Sequence, residues 1–108
     1  MTTTETVRQL WLTASRLRSE TEIRTWSRDK GYSDTTTFKI SDTTPRSIII
    51  YSPTISGQRS ISKKEFLRIA THWYAYRDGE VGRDVLGKLS QNTSYIFGIL
   101  KWMDDQDE

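Results

Sequence analysis

The stretch RDVLGKLSQNTSYIFGILKWM, residues 83–103 of a 108-residue chain, contains two apolar groups at helical spacing on either side of a polar turn. The first group predicts a short helix over residues 82–89, and the polar residues 90–92 predict a tight turn. The second group predicts a helix over residues 93–103. Its expected core face consists of Ile96, Ile99, Leu100 and Met103.

A further helix is predicted immediately upstream, because Ser62-Lys63-Lys64-Glu65 has the pattern of a capping box. In that motif the serine hydroxyl accepts from the backbone amide of the glutamate, and the glutamate carboxylate bonds back to the serine amide. The apolar periodicity predicts that this helix ends near Arg77. The C-terminal part of the chain is therefore expected to contain three helices.

Three short strands are predicted before these helices. Residues 35–40 and 47–51 are rich in β-branched and aromatic types, and residues 58–61 follow a turn signal. Residues 47–51 are apolar on both faces, so we expect a central strand covered by helices. Residues 42–45 are expected to break the first strand, and residues 31–36 are expected to form a loop.

The N-terminal region has a helical pattern, since Val7, Leu10, Trp11, Ala14 and Leu17 recur at helical spacing. This predicts a helix over about residues 4–20. Ile23 and Trp26 either continue that helix or begin a second short one.

The predicted fold class is therefore α+β. A small three-stranded antiparallel sheet is expected to lie with an N-terminal helix and a C-terminal three-helix unit, in a single domain over residues 1–108 with an acidic tail at 104–108.

The composition excludes several functional classes. Cysteine is absent, which rules out disulfides, thiolate nucleophiles and cysteine-based metal sites. The N-terminus has no signal-peptide pattern, and no run of about 18 apolar residues suits a membrane span. We therefore expect a cytoplasmic protein without a membrane partner.

The net charge of +2 conceals an uneven distribution. Four acids lie in residues 104–108, so the remainder carries 16 basic and 10 acidic residues, a net charge of +6. A basic body attracts phosphate or an acidic protein surface, and an acidic tail competes for the same patch.

The paired C-terminal helices and the preceding hairpin, roughly residues 47–103, resemble a helix-turn-helix or winged-helix DNA-binding domain. The resemblance implies that Gly87 lets the two helices cross closely. It also implies that the second helix enters the major groove of double-stranded DNA. The side chains that it presents to phosphates or base edges are then Asn92, Thr93, Ser94 and Tyr95.

A set of basic residues supplies a second indication of nucleic-acid binding, because phosphate recognition depends on lysine and arginine. The candidates on the hairpin end and the C-terminal helices are Arg59, Lys63, Lys64, Arg68, Arg77, Arg83, Lys88 and Lys101. The alternative is that these are ordinary solvated charges that cover helix faces with their aliphatic stems.

The last helix also supports a different function, since it is apolar nearly all round. In this interpretation it contacts a protein partner or a second copy, as in a bacterial or phage inhibitor or adaptor. The interface residues are then Tyr95, Phe97, Gly98 and Trp102.

Catalysis is not expected. His72 is the only histidine and has no nucleophile or second ligand near it in sequence, and no Gly-rich phosphate loop occurs. We predict a protein that is not an enzyme and has no cofactor and no metal site. Nucleic-acid binding and protein interaction both remain open.

Overall fold

The structure, a computed structural model, describes residues 3–52, 57–86 and 92–106. Within those ranges the fold class is α+β, as predicted, with four strands and five helices. In chain order these are α1 (Thr4–Ala14), β1 (Glu22–Ser27), β2 (Gly31–Thr43), β3 (Ser47–Tyr51), β4 (Gln58–Ser62), α2 (Lys63–Ala70), α3 (Trp73–Arg77), α4 (Arg83–Leu86) and α5 (Thr93–Gln106).

The strands form one antiparallel sheet in which each strand pairs with the next along the chain. In the last hairpin Ser47 pairs with Ser62, so the start of β3 lies beside the end of β4. This register brings the turn before β3 next to the start of α2. The backbone N–H of Lys63 there donates to the carbonyl oxygen of Arg46 at 2.8 Å.

One face of the sheet packs against α5 and α2, and α1 packs against these two helices. The core lies on this side of the sheet. Aromatic rings from different helices pack against one another in this core. Tyr76 stacks on Phe97 with ring centroids 4.5 Å apart, and Trp11 meets the edge of Phe66 at 5.4 Å. The sheet contributes Ile23, Phe38, Ile40, Ile48, Ile50 and Ile61, all buried.

The last helix, α5, lies against β1, and Gly98 makes the approach possible. A Cβ atom at Gly98 would lie 2.6 Å from the carbonyl oxygen of Arg24 and 3.3 Å from the Cα of Thr25. These distances are shorter than ordinary van der Waals contacts, and both partners are backbone atoms. The helix is therefore held directly against the strand along its apolar side.

The prediction of three strands was wrong, because Glu22–Ser27 forms a fourth strand, β1. Ile23 and Trp26 are three residues apart, which suits a helix. A bulge between Arg24 and Trp26 changes the register of the pairing with β2. Ile23 is buried in the core, and Trp26 meets Trp73 at 5.4 Å. The strand depends on this tertiary pairing, which local spacing does not reveal.

Three other boundaries were also wrong. Residues 31–36 belong to β2, and β2 continues to Thr43 because a bulge between Ile40 and Asp42 absorbs the expected break. The helix predicted over residues 4–20 ends at Ala14. The prediction that helices cover both faces of β3 was also wrong. Ile48 and Ile50 are buried, whereas Tyr51 is exposed.

The capping box is confirmed. The backbone N–H of Glu65 donates to the Ser62 hydroxyl at 3.1 Å, and the Ser62 N–H donates to the Glu65 carboxylate at 3.0 Å. The helix that begins there does not run to Arg77 uninterrupted. A tight turn at Thr71 separates α2 from α3, since the His72 N–H bonds to the carbonyl three residues back.

The C-terminal helix is confirmed but is longer than predicted, and Asp104 and Asp105 continue α5 instead of forming a separate tail. Gly87, Lys88 and the turn at residues 90 and 91 lie outside the described residues. No helix in the described ranges is long and apolar enough to cross a membrane.

Candidate nucleic-acid interface

A group of cations surrounds the start of α2. The β3–β4 register brings Arg46 beside Lys63, and Lys64 follows in the first turn of the helix. These residues line a shallow hollow of about 380 Å³ together with Ser62 and the half-buried Leu67. Among the described residues, no carboxylate forms an ion pair with any of the three cations. We call Arg46, Lys63 and Lys64 the α2-start surface.

Two further arginines converge on the start of α5. Arg59 donates to the side-chain oxygen of Asn92 at 3.2 Å, and its guanidinium lies 5.5 Å from the ring centroid of Tyr95. Arg83 donates to the Ser94 hydroxyl at 2.7 Å. Both arginines are held by neutral partners, and neither forms an ion pair in the part of the chain that the structure describes. We call Arg59 and Arg83, with the α5 residues that they contact, the α5-start cluster.

Asn92 joins the two regions. It is 6% exposed, and its amide nitrogen donates to the carbonyl oxygen of Ser60 at 3.4 Å and to the carboxylate of Glu65 at 3.1 Å. Glu65 also closes the capping box of α2. A network of hydrogen bonds therefore ties Arg59, the start of α2 and the start of α5 into one continuous piece of structure.

The cations at the other end of α5 are in a different electrostatic environment. Arg77 pairs with Asp78 at 3.1 Å and with Asp104 at 3.2 Å. Lys101 pairs with Asp105 at 2.9 Å. Because α5 rises about 1.5 Å per residue, Lys101 lies about 12 Å along the axis from the α5 start. The carboxylates there neutralise the cations locally.

The contacts at this end of α5 shift the pKa of three side chains. The Tyr32 hydroxyl donates to Asp105 at 2.6 Å. This hydrogen bond and Lys101 outweigh burial and hold the pKa of Asp105 below its usual value. Burial, followed by the hydrogen bond to Asp105, raises the pKa of Tyr32. Burial lowers the pKa of Arg77, but its contacts with Asp78 and Asp104 outweigh that effect, so the net shift is upward.

The eight predicted cations thus do not form one surface. Arg59, Lys63, Lys64 and Arg83 lie around the helix starts, whereas Arg77 and Lys101 lie at the acidic end. Arg68 is exposed one turn after Lys64 on α2. Lys88 lies outside the described residues. Asp104 and Asp105 pair with Arg77 and Lys101, two of the predicted cations. The other two acids of the tail, at 107 and 108, lie outside the described residues, so competition between the tail and the helix-start cations stays a prediction.

The residues expected to read bases are mostly unavailable. Asn92 and Thr93 are 6% and 2% exposed, so neither side chain projects from the surface. Ser94 accepts from Arg83, and Tyr95 packs edge-on against Phe38 at 5.2 Å. The side chains at the start of α5 therefore make contacts within the fold and hold Arg59 and Arg83 in place.

The alternative protein interface is contradicted at two of its four residues. Phe97 is fully buried against Tyr76, and Gly98 is buried against β1. Tyr95 and Trp102 are half-buried and pack on the core. The apolar character of the helix is thus explained largely by the sheet beneath it.

Sequence reasoning missed Arg46, which contributes to the α2-start surface. It lies in the turn between two predicted strands and is 17 residues before Lys63 in the sequence. The signal was the hairpin register: once residues 47–51 pair with 58–62, the residues before and after that hairpin must be neighbours.

The described residues contain no group of three or more histidine, aspartate or glutamate side chains placed to hold a metal ion. No protein-family model, no curated protein and no solved structure matches this chain.

Proposed function

We propose that this chain is a cytoplasmic, non-enzymatic module that binds double-stranded DNA through the phosphate backbone. The contacts are made by the α2-start surface and by the arginines of the α5-start cluster. One observation carries the proposal: the cations around these two helix starts lack carboxylate partners in the described chain, whereas Arg77 and Lys101 have them. Unpaired cations gathered at one end create the field that attracts a polyanion.

In the proposed contact with DNA, the phosphates are bound by lysine and arginine side chains more than by the backbone amides at the start of α2. In the first turn of α2 the Lys63 amide bonds to Arg46, and the Glu65 amide bonds to Ser62. Those donors are already occupied by the protein. The exposed Lys63 and Lys64 ammonium groups remain free to follow the phosphates of a duplex.

The proposed mode differs from that of the DNA-binding domains that the sequence resembles. In those domains the second helix reads base edges in the major groove. Here α5 is packed on β1, and its first side chains bond within the protein. Phosphate contacts position a protein without reading sequence. We therefore propose binding with little sequence preference.

The test compares charge reversals in the whole chain. We expect Lys63→Glu with Lys64→Glu to weaken binding to a mixed-sequence duplex of about 20 base pairs. The slope of log affinity against log salt should decrease by about 2, because each phosphate contact contributes about 0.9. The matched control is Arg8→Glu with Lys30→Glu, which changes the net charge equally at exposed positions elsewhere.

The control variant should retain more affinity than the α2 variant. Equal losses in the two variants would mean that net charge alone attracts DNA, and the α2-start surface would then have no special role. Absence of duplex binding by the unaltered chain at low salt would refute the proposal entirely.

The alternative function, contact with a partner or a second copy through the aromatic side of α5, has weaker support. Phe97 and Gly98 are enclosed by the chain itself. The half-buried Trp102 packs against the core. We therefore place the duplex-binding function first.

A further inference from the structure

The outer face of the sheet, opposite the helices, contains a row of side chains that crosses all four strands. Glu22 pairs with Lys39, Lys39 with Tyr51, and Tyr51 with Gln58. Neighbouring strands are about 4.8 Å apart, so Tyr51 and Glu22 are separated by about 10 Å. This row plays no part in the proposed duplex contact.

Tyr51 is the exposed large hydrophobic side chain of the described residues, at 47%. Its ring also has no cation beside it among the described residues, unlike several other aromatic rings of the fold. Five other aromatic rings have an arginine or lysine between 4.8 and 5.7 Å from their centroids. Tyr51 has no such cation among the described residues, because the adjacent Lys39 pairs with Glu20 at 3.6 Å. The ring is therefore open to a cation from outside.

A hollow of about 380 Å³ lies beside this ring. Its charged lining consists of Glu20, Glu22 and Lys39, so its net charge is negative. Glu22 forms no ion pair in the described part of the chain. A phosphate backbone is disfavoured here by the two carboxylates, whereas a cationic segment is attracted.

We propose that this hollow binds an extended segment of a partner protein that has arginines at alternate positions. Alternate residues of an extended chain lie about 7 Å apart on the same side. The reach of arginine covers the remaining distance, so one guanidinium stacks on the Tyr51 ring and the other meets Glu22. At the far edge of the hollow the Gln58 amide nitrogen donates to the Ser41 hydroxyl at 2.9 Å.

The test uses the full chain labelled with ¹⁵N and the blocked peptide Ser-Arg-Ser-Arg-Ser, followed by amide chemical shifts. We expect the amides of Lys39, Tyr51 and Gln58 to shift during the titration. The same peptide with citrulline in place of arginine keeps the planar shape but lacks the charge and has fewer N–H donors. It should produce much smaller shifts.

Variants separate the ring from the charge. We expect Tyr51→Leu to weaken peptide binding about threefold and Tyr51→Phe to leave it unchanged, since a cation over an exposed ring contributes modestly. Glu22→Gln should also weaken it. Tyr51 is on the surface, so circular dichroism should remain that of the unaltered chain.

Equal binding of the citrulline peptide, no loss in Tyr51→Leu, or shifts confined to the helical side would overturn the proposal. It would also be overturned if a single-stranded oligonucleotide, and not the peptide, shifted the Tyr51 amide. Lys63→Glu with Lys64→Glu should leave peptide affinity undiminished. Failure of the duplex-binding proposal is therefore distinguishable from failure of this one.

Discussion

Replacement of Gly98 by alanine tests the packing of α5 on β1. In an exposed helix, glycine to alanine stabilises by about 1 kcal/mol because the backbone loses less entropy on folding. At Gly98 the added Cβ would lie 2.6 Å from the carbonyl oxygen of Arg24 and 3.2 Å from a ring carbon of Phe38. The first contact involves backbone, so rotation of a side chain does not relieve it. The helix must move away from the strand.

Overpacking in a well-packed interior costs about 1–3 kcal/mol, and here the short backbone contact favours the upper part of that range. After subtracting the helix-propensity gain of about 1 kcal/mol, we expect Gly98→Ala to destabilise the protein by about 1–2 kcal/mol. For a domain of this size the melting temperature should fall by about 5–10 °C.

Urea denaturation and thermal melts of Gly98→Ala measure this effect directly. Arg8→Ala on the exposed side of α1 is the control and should change stability by less than about 0.5 kcal/mol. A Gly98→Ala protein as stable as the unaltered chain, or more stable, would refute the reasoning. It would mean that α5 stands away from β1 and is available as a groove-reading helix.

Asn92→Ala should cost about 1–3 kcal/mol in urea denaturation, because it removes the hydrogen bonds that this buried amide makes to Arg59 and Ser60 of β4 and to the Glu65 carboxylate of α2; a loss below about 0.5 kcal/mol would contradict the network. Ser62→Ala should cost about 1 kcal/mol through loss of the α2 cap, and an unchanged urea midpoint would exclude this role. Trp102→Ala should destabilise by about 2 kcal/mol, less than a fully buried tryptophan; a fully stable variant that loses self-association or partner binding would restore the interface interpretation. Tyr32→Phe should be less stable than the unaltered chain at neutral pH. The lowered pKa of Asp105 contributes stability above its unfolded value near 4, and that stability is lost as the pH falls through the folded value. The difference in unfolding free energy between the two proteins should therefore shrink near pH 2. A difference that stays constant with pH would contradict the link between the Tyr32 hydrogen bond and the Asp105 pKa.

Local signals were sufficient for several elements. The capping box at Ser62 specifies its own hydrogen bonds within four residues, and the apolar pattern of residues 93–103 is long enough to specify a helix. The β3 strand likewise follows from its run of β-branched residues. In each case the residues that determine the element belong to that element or lie directly beside it in the sequence.

The rest depended on contacts between distant parts of the chain. Glu22–Ser27 is a strand because it pairs with β2 and packs against α5. The spacing of apolar residues within the segment shows neither contact. The placement of Arg46 beside Lys63 follows from the hairpin register. The difference between Lys63 and Lys101 arises from Asp105, which pairs only with the latter. Except for Arg46, the sequence identified the cations, but it did not show which of them pair with carboxylates.

The most direct test of duplex binding by the helix starts is a titration of the ¹⁵N-labelled full chain with mixed-sequence duplex DNA at low salt. We predict that the amides of Arg46, Lys63 and Lys64 shift together, with smaller changes at Arg77 and Lys101. Shifts centred on Arg77 and Lys101, or no shifts at any of these positions, would contradict the proposed interface.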